Sequence, residues 1–377
     1  MNLLFRAGPP PFDDGALLRA LPLLVPTAHG PVAFRAEDEG FVVEELPAYL
    51  PSGAGEHLYL RIEKRGLSTT AVVHRLQDAF GLHERDIGYA GRKDERGITR
   101  QWLSVPARSV EPGLLEKGLE HARTALGFAI LEAKRHGNKL RLGHLRGNRF
   151  IVVLDGDIDV HALRERCSVV AHGVPNLFGA QRFGIDGSTL AQAMRFLERG
   201  QGARTRREEM MVSAVQSALF NHWLADRVDD GSWNRPLDGD VLEKAVNGAP
   251  FLCTDPAVDG PRVADGEVSV AGPMLGAAMR PAEREALTRE SRSWENAGLD
   301  LAALLLHPAF DTGVRRAACL RPSSIEIVEP TKDAPRLSIH FSLPKGAYAS
   351  LVLRALFGTA LIDAAFADGP VLVQKPG

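Results

Sequence analysis

Cysteine is scarce: Cys167, Cys253 and Cys319 are the only three in 377 residues, widely scattered and without a C-x-x-C pair. That argues against a disulfide framework or a cysteine-ligated zinc site and fits a reducing compartment. Long uncharged apolar runs are also lacking. The best candidate, Leu351 to Ala367, carries Arg354 and Asp363, so it is too short and too charged to span a bilayer and reads as a core-facing helix. At the start, Met1 to Phe5 is interrupted at once by Pro9, Pro10, Pro11, Asp13 and Asp14, which gives no export signal and makes the cytoplasm the expected compartment. An excess of charge of one sign is missing too: 45 Lys plus Arg face 47 Asp plus Glu, a net charge of −2. Any polyanionic partner must therefore be met by a local patch.

Several motifs fail by one or two residues. Gly53-Ala54-Gly55 lacks the third glycine of a dinucleotide fingerprint. Asp155, Asp157 and Asp159 open with calcium-loop spacing, but Val160 stands where the turn glycine belongs and Arg166 where the bidentate glutamate belongs. There is no H-E-x-x-H, G-x-S-x-G or phosphate-binding G-x-x-x-x-G-K-[ST]. The expectation is a protein with no metal and no bound cofactor.

What is present is a globular profile, 45% hydrophobic and 24% charged, at a length suited to two domains. His57 to Ile62 alternates with period two, as a half-buried strand does. Ser68 is placed to cap a helix running through Val73, Leu76 and Phe80, with Gly81 placed to end it. Trp102 to Val105 and Phe150 to Leu154 read as strands. In a further alternation Leu337, Ile339, Phe341 and Leu343 oppose Ser338, His340 and Ser342. The middle has helical texture: Val212, Val215, Leu219 and Trp223 recur on one face, and Pro281 to Leu306 reads as one or two helices with Pro281 in the first turn. Residues 229–280 are rich in Gly, Pro and Asp and predict short elements. The order strands, helices, strand predicts an α+β chain in which a sheet domain (1–172 and 323–377) is interrupted by an inserted domain (173–322).

Three segments could carry chemistry. Lys134 to Arg149 holds Lys134, Arg135, Lys139, Arg141, Arg146 and Arg149 with His136 and His144 and no carboxylate, which suits either a phosphate-contacting strip or a solvated basic face. In Gly88-Tyr89-Ala90-Gly91-Arg92-Lys93-Asp94, two glycines bracket an aromatic ahead of a cation and a carboxylate. Taken alone, such an Asp is usually a turn residue bonding its own backbone. Asn176 to Gly184 sets amides, an arginine and two phenylalanines within nine residues, either to read a base or as a packing corner. Glu44 and Glu45 read as an exposed pair at the start of a strand, with no assigned role.

The ordered combination of motifs resembles the TruD family of tRNA pseudouridine synthases. It starts at Phe34-Arg35-Ala36-Glu37-Asp38-Glu39-Gly40-Phe41-Val42-Val43-Glu44-Glu45 and passes through Gly53-Ala54-Gly55-Glu56-His57 to the Gly88–Asp94 loop and Thr99-Arg100-Gln101-Trp102. It continues through Lys139 to Gly143, Arg146 to Phe150, Gly173 to Gly184, Ser217 to Asn221, Gly272 to Gly276 and Leu343 to Ser350. Each block is weak alone, and their order is specific.

The resemblance implies a pseudouridine-synthase-type catalytic domain, with a mixed, largely antiparallel sheet, interrupted by a helix-rich α/β TRUD insertion. It implies isomerisation of a tRNA uridine, at position 13, with Asp94 as the catalytic carboxylate. Arg35 stands where the family commonly has lysine and would keep that carboxylate ionised. Phe41, Asn148 and Phe150 fall on base-contacting positions, and Tyr348 falls where phenylalanine is common. Lys93, Lys139, Arg141, Arg146 and Arg149 are expected to meet the RNA backbone, with the Lys93 side chain turned toward substrate. A monomer needing only its tRNA partner is expected, without membrane or metal. The rival readings are a catalytically silent RNA-binding or remodelling protein and a carboxylate-dependent hydrolase, which would need a second acid that no motif singles out.

Overall fold

The caps and alternations become ordered elements in a computed structural model, which describes residues 26–34, 40–93, 95–110, 126–179, 182–183, 188–296, 300–332 and 336–361. Arg35, Asp94 and Gln181 lie outside the described residues. In chain order come strands β1 (Ala33–Phe34), β2 (Phe41–Pro47) and β3 (His57–Arg65), helix α1 (Thr69–Phe80), and strands β4 (Gly88–Tyr89), β5 (Ile98–Pro106), β6 (Ala129–His136) and β7 (Leu145–Asp155). Helix α2 (Val160–Ala171), strand β8 (Val174–Pro175) and helices α3 (Ser188–Leu197) and α4 (Arg206–Asp229) follow. The glycine-rich middle forms short pieces: β9 (Val241–Lys244), β10 (Pro250–Leu252), α5 (Pro256–Ala264) and β11 (Val268–Met274). The rest is α6 (Arg284–Asn296), α7 (Leu301–Leu305), β12 (Val314–Ala317), β13 (Cys319–Leu320), β14 (Ser323–Val328), β15 (Ser338–Pro344) and α8 (Ala349–Phe357). No helix among the described residues is long and apolar enough to cross a membrane.

The fold is α+β, and its packing divides the chain into two compact units. One, the sheet unit, holds residues 28–158 and 322–347; the other, the helical unit, holds 1–27, 159–321 and 348–377. In packing, α2 and α8 group with the helical elements, whereas the sequence reading puts both with the sheet. The physical link is visible at Arg166, whose largely buried guanidinium on α2 donates to the carbonyl of Ala355 on α8 at 2.8 Å.

The sheet unit is built on one large sheet of order β14-β15-β7-β2-β5-β3-β6, with β1 added to β7 and β4 to β5. Among its described pairings only β2 with β5 is parallel, Val43 lying beside Thr99. Helix α1 forms where the sequence places it: the Ser68 side chain accepts from the Ala71 N–H, and Gly81 closes the helix at φ 62° with its N–H on the Gln77 carbonyl. Such an N-cap contributes about 1 kcal/mol. The helix lays Val72, Val73 and Leu76 on Leu58, Leu60 and Ile62 of β3 and on Leu103 and Val105 of β5, forming one hydrophobic core of the unit. The opposite face of β3 is covered at Tyr59, which packs with Ala90, Trp102, Leu140 and Leu145. The expected alternation of the strand holds apart from Tyr59, since His57, Arg61 and Glu63 on that second face stay partly exposed. Strand β15 pairs with β7 over seven residues, from Ser338 beside Val153 to Pro344 beside Gly147.

In the helical unit α4 begins with a reciprocal Thr205–Glu208 capping box and buries Val212, Val215, Leu219, Phe220 and Trp223. A four-stranded sheet of order β10-β9-β11-β12 belongs to this unit, as does the small β13-β8 pair. Helix α6 starts at Arg284 rather than in the turn of Pro281, because Arg284 takes φ 49°, a value outside the right-handed helical region.

Candidate active site

Strand parity gathers most of the expected base-contacting residues onto one sheet face. Phe41, Val43 and Glu45 alternate along β2, and Asn148, Phe150 and Val152 along β7. The antiparallel register sets Phe41 beside Val152, Val43 beside Phe150 and Glu45 beside Asn148. The Phe41 and Phe150 rings lie 6.2 Å apart, tilted by 38°. Phe150 in turn stacks on Phe341 of β15 at 5.5 Å. Phe150 is 6% exposed while Phe41 is half-buried, so one ring is fixed in the core and the other borders it. The Asn148 Oδ1 is buried and has no hydrogen-bond partner among the described residues. A buried polar atom left so costs stability unless a ligand or water completes it.

The next row of the same face carries charge. Lys64 of β3, beside Thr99, is 1% exposed and sends its Nζ to the Leu67 carbonyl at 2.5 Å. Glu45 is 4% exposed, not part of an exposed pair. Its Oε2 receives the Lys93 ammonium at 3.1 Å and its Oε1 the Trp102 N–H at 3.2 Å. Burial pushes its carboxyl above the ordinary range, while the charge and hydrogen bond of Lys93 and the Trp102 N–H pull it back. Lys93, expected to face RNA, turns its ammonium inward because this buried carboxylate needs a counter-charge. Its side chain is 7% exposed. Glu44, on the opposite face, pairs with Arg61.

Lys93 is held by its backbone as well. Its N–H donates to the Thr69 Oγ1 at 2.9 Å, and its carbonyl accepts from the Thr69 N–H at 3.4 Å. Thr69 is the first residue of α1, so the helix start and the Gly88–Lys93 loop are tied together one residue before Asp94. Sequence reading missed Glu45, Thr69 and Lys64. The signal for Glu45 was its parity with Phe41 and Val43, which put it on the buried face.

The basic strip divides. Lys139 and Arg141 line an open groove of about 1010 Å³ with His83, Arg85, Tyr89 and Leu142. The Lys139 ammonium donates to the Arg85 carbonyl. Among the described residues neither the Arg85 nor the Arg141 guanidinium has a carboxylate partner. Arg146 donates to the Pro47 carbonyl at 3.1 Å and is otherwise exposed. Arg149 alternates to the face opposite Phe150 and lies 3.4 Å from His340 Nδ1. His136 and His144 pack around Tyr49, the first stacked at 5.2 Å and the second bonded to its hydroxyl at 2.7 Å.

Tyr348 belongs to the helical unit, as the residue before α8, where its ring meets Phe178 edge-on at 6.3 Å. The same Phe178 ring carries the Arg316 guanidinium at 4.1 Å, and Arg316 donates to the Asn176 Oδ1 at 2.7 Å. Asn176 also donates to the Ala317 carbonyl at 2.8 Å, a packing role rather than a base-reading one. Among the described residues no group of three His, Cys, Asp or Glu is placed to hold a metal.

Gly147 sets how closely β15 approaches the site. A Cβ there would collide with the Leu343 carbonyl, well inside van der Waals contact. Gly147→Ala is expected to push β7 and β15 apart beside Asn148, lowering the melting temperature and slowing product formation together. A variant that melts and turns over like wild type would show that the contact yields.

The family model for tRNA pseudouridine synthase D (TruD) matches residues 27–199 and 201–356. The chain is 46% identical over 333 residues to the tRNA pseudouridine synthase D of Anaeromyxobacter dehalogenans (strain 2CP-C), covering 86% of this chain and 92% of that one. It is 36% identical over 336 residues to a tRNA pseudouridine synthase D of Thermus thermophilus, covering 87% and 89%. In fold it is similar to a crystal structure from Methanosarcina mazei of a chain assigned as a tRNA pseudouridine synthase D, with a TM-score of 0.66 at 19% identity, covering 91% of this chain and 98% of that one.

Proposed function

We propose that this chain, which belongs to the TruD family of tRNA pseudouridine synthases, converts uridine 13 of its tRNA substrates to pseudouridine with Asp94 as the catalytic carboxylate. At the coarser level the chain is a tRNA-modifying isomerase. The uracil-binding part of this reading is supported chiefly by one observation: an acceptor without a partner among the described residues, Asn148 Oδ1, on the same face as the Phe41–Phe150 ring pair. Uracil offers a π-face and an N3–H donor. The rings supply the stacking surface, worth about 1–3 kcal/mol per base, and Asn148 supplies the acceptor.

A stacked tRNA uridine must be extruded to reach such a face. Asp94, peptide-bonded to the anchored Lys93, then assists cleavage of the C1′–N1 bond, by adding to the base or by supporting removal of a sugar proton. The freed uracil turns in place and C5 bonds to C1′; the C5 proton leaves and N1, released from the sugar, takes one up, so the product is an isomer of the substrate. Arg35 keeps the carboxylate ionised. We assign the chemistry to the discontinuous domain 1–172 with 323–377 and the remainder to the insertion. A monomer working in the cytoplasm belongs to the same reading.

Tritium release from tRNA labelled at uridine C5, with no added cofactor, tests the activity. Release with pseudouridine formed supports the synthase; binding without release favours the silent RNA binder, and free base or sugar favours a hydrolase. The backbone contacts are tested by a salt titration. Arg141→Ala with Arg146→Ala is expected to make the slope of log affinity against log salt shallower by about 1.5, since each lost phosphate contact removes roughly 0.7–0.9. An unchanged slope would take both arginines off the RNA surface.

A further inference from the structure

We infer that Glu45 is a positioning residue for the catalytic loop, acting through Lys93 to fix where residue 94 begins. The inference rests on the reading of Asp94 as the catalytic carboxylate. A glutamate at a buried strand position is not needed for the sheet: an apolar side chain would pack there without the cost of desolvating a charge. The structure nevertheless engages both oxygens of Glu45, one with the Lys93 ammonium and the other with the Trp102 backbone N–H. The second contact lies just beyond Glu44 beside Arg100, the last described register pair of β2 with β5, and ties the carboxylate to β5 there.

Lys93 is thereby restrained at three separate points: its N–H by the Thr69 hydroxyl, its carbonyl by the Thr69 N–H, and its ammonium by Glu45. The Lys93 carbonyl shares a planar peptide with residue 94, so holding that carbonyl limits where the next side chain can start. The backbone anchors alone leave the Lys93 side chain free to draw the loop toward solvent or RNA phosphate. The buried carboxylate removes that freedom, and so turns a cation that would otherwise compete for polyanion into part of the scaffold. Reaction rates depend steeply on such placement: a misplacement of about 1 Å can cost roughly 100-fold.

The test compares Glu45→Gln, Lys93→Met and the double variant by single-turnover pseudouridine formation, tRNA affinity and thermal melting. Glu45→Gln is expected to slow the single-turnover step by about 100-fold with tRNA affinity changed by less than about threefold. Glu45→Asp, which keeps the charge, is expected to recover part of that loss. The double variant buries a neutral pair, so it is expected to regain much of the melting temperature but not the rate. Recovery of rate together with melting temperature in the double variant would reduce the pair to a stabilising role and overturn the inference. So would a folded Glu45→Gln that reacts at the wild-type rate while Asp94→Asn is inactive. If Asp94→Asn itself reacts at the wild-type rate, the catalytic-carboxylate reading fails first, and the positioning role falls with it.

Discussion

Asp94→Asn yields a folded protein that binds tRNA and forms no pseudouridine: that is the expected result, with the single-turnover rate down on the order of 10⁴-fold or more. The substitution conserves shape and removes only the charge and the ability to add or accept a proton. The fold is expected to survive because the anchors of the preceding residue are Thr69 and Glu45. Binding is expected to survive because, on the proposed reading, stacking and backbone contacts rather than a carboxylate facing a polyanion hold the RNA. The measurement pairs tritium release with thermal melting and an equilibrium binding curve. Turnover near the wild-type rate would exclude Asp94 from the chemistry, and loss of binding would give it a recognition role instead.

The second large effect is one of stability and lies in the helical unit. Arg227 on α4 and Asp240 form a bidentate pair at 2.8 and 2.9 Å, each side chain 3% exposed. Arg227 also donates to the carbonyls of Ser232 and Arg235 and lies 5.3 Å over the Trp223 ring. Asp240→Ala leaves that guanidinium buried without its counter-charge, which costs about 3–5 kcal/mol. In a protein of 377 residues the melting temperature is expected to fall by about 5 °C. Asp240→Asn keeps hydrogen-bonding capacity and is expected to lose less. A fall of less than about 2 °C for Asp240→Ala would mean that water or a moved side chain replaces the aspartate.

Neither that pair nor the Glu45–Lys93 pair was legible in the sequence, for the same reason. Sequence pattern shows which positions alternate or recur, but a charged residue reads as exposed until a partner distant in the chain is known. Helix α1 was legible to both ends because its Ser68 and Gly81 caps are local signals. The β15 alternation was legible because Ile339, Phe341 and Leu343 all face one core. Asn148 and Phe150 could be paired by parity alone. That Phe41 lies on the same face depended on a β2–β7 register that no local pattern specifies. The parallel β2–β5 contact was hidden too, since it joins segments separated by a whole strand–helix crossover.

The late arrival of β15 has a consequence for biosynthesis. Strand β7 ends at Asp155, but the strand that closes its outer side begins at Ser338, so residues 156–337 are translated in between. At roughly 5–20 residues per second, β7 waits on the order of 10–40 s with a row of open hydrogen-bonding groups. During that interval the nascent chain presents an adhesive margin to any passing polypeptide, and a ribosome-associated chaperone would have its best opportunity there.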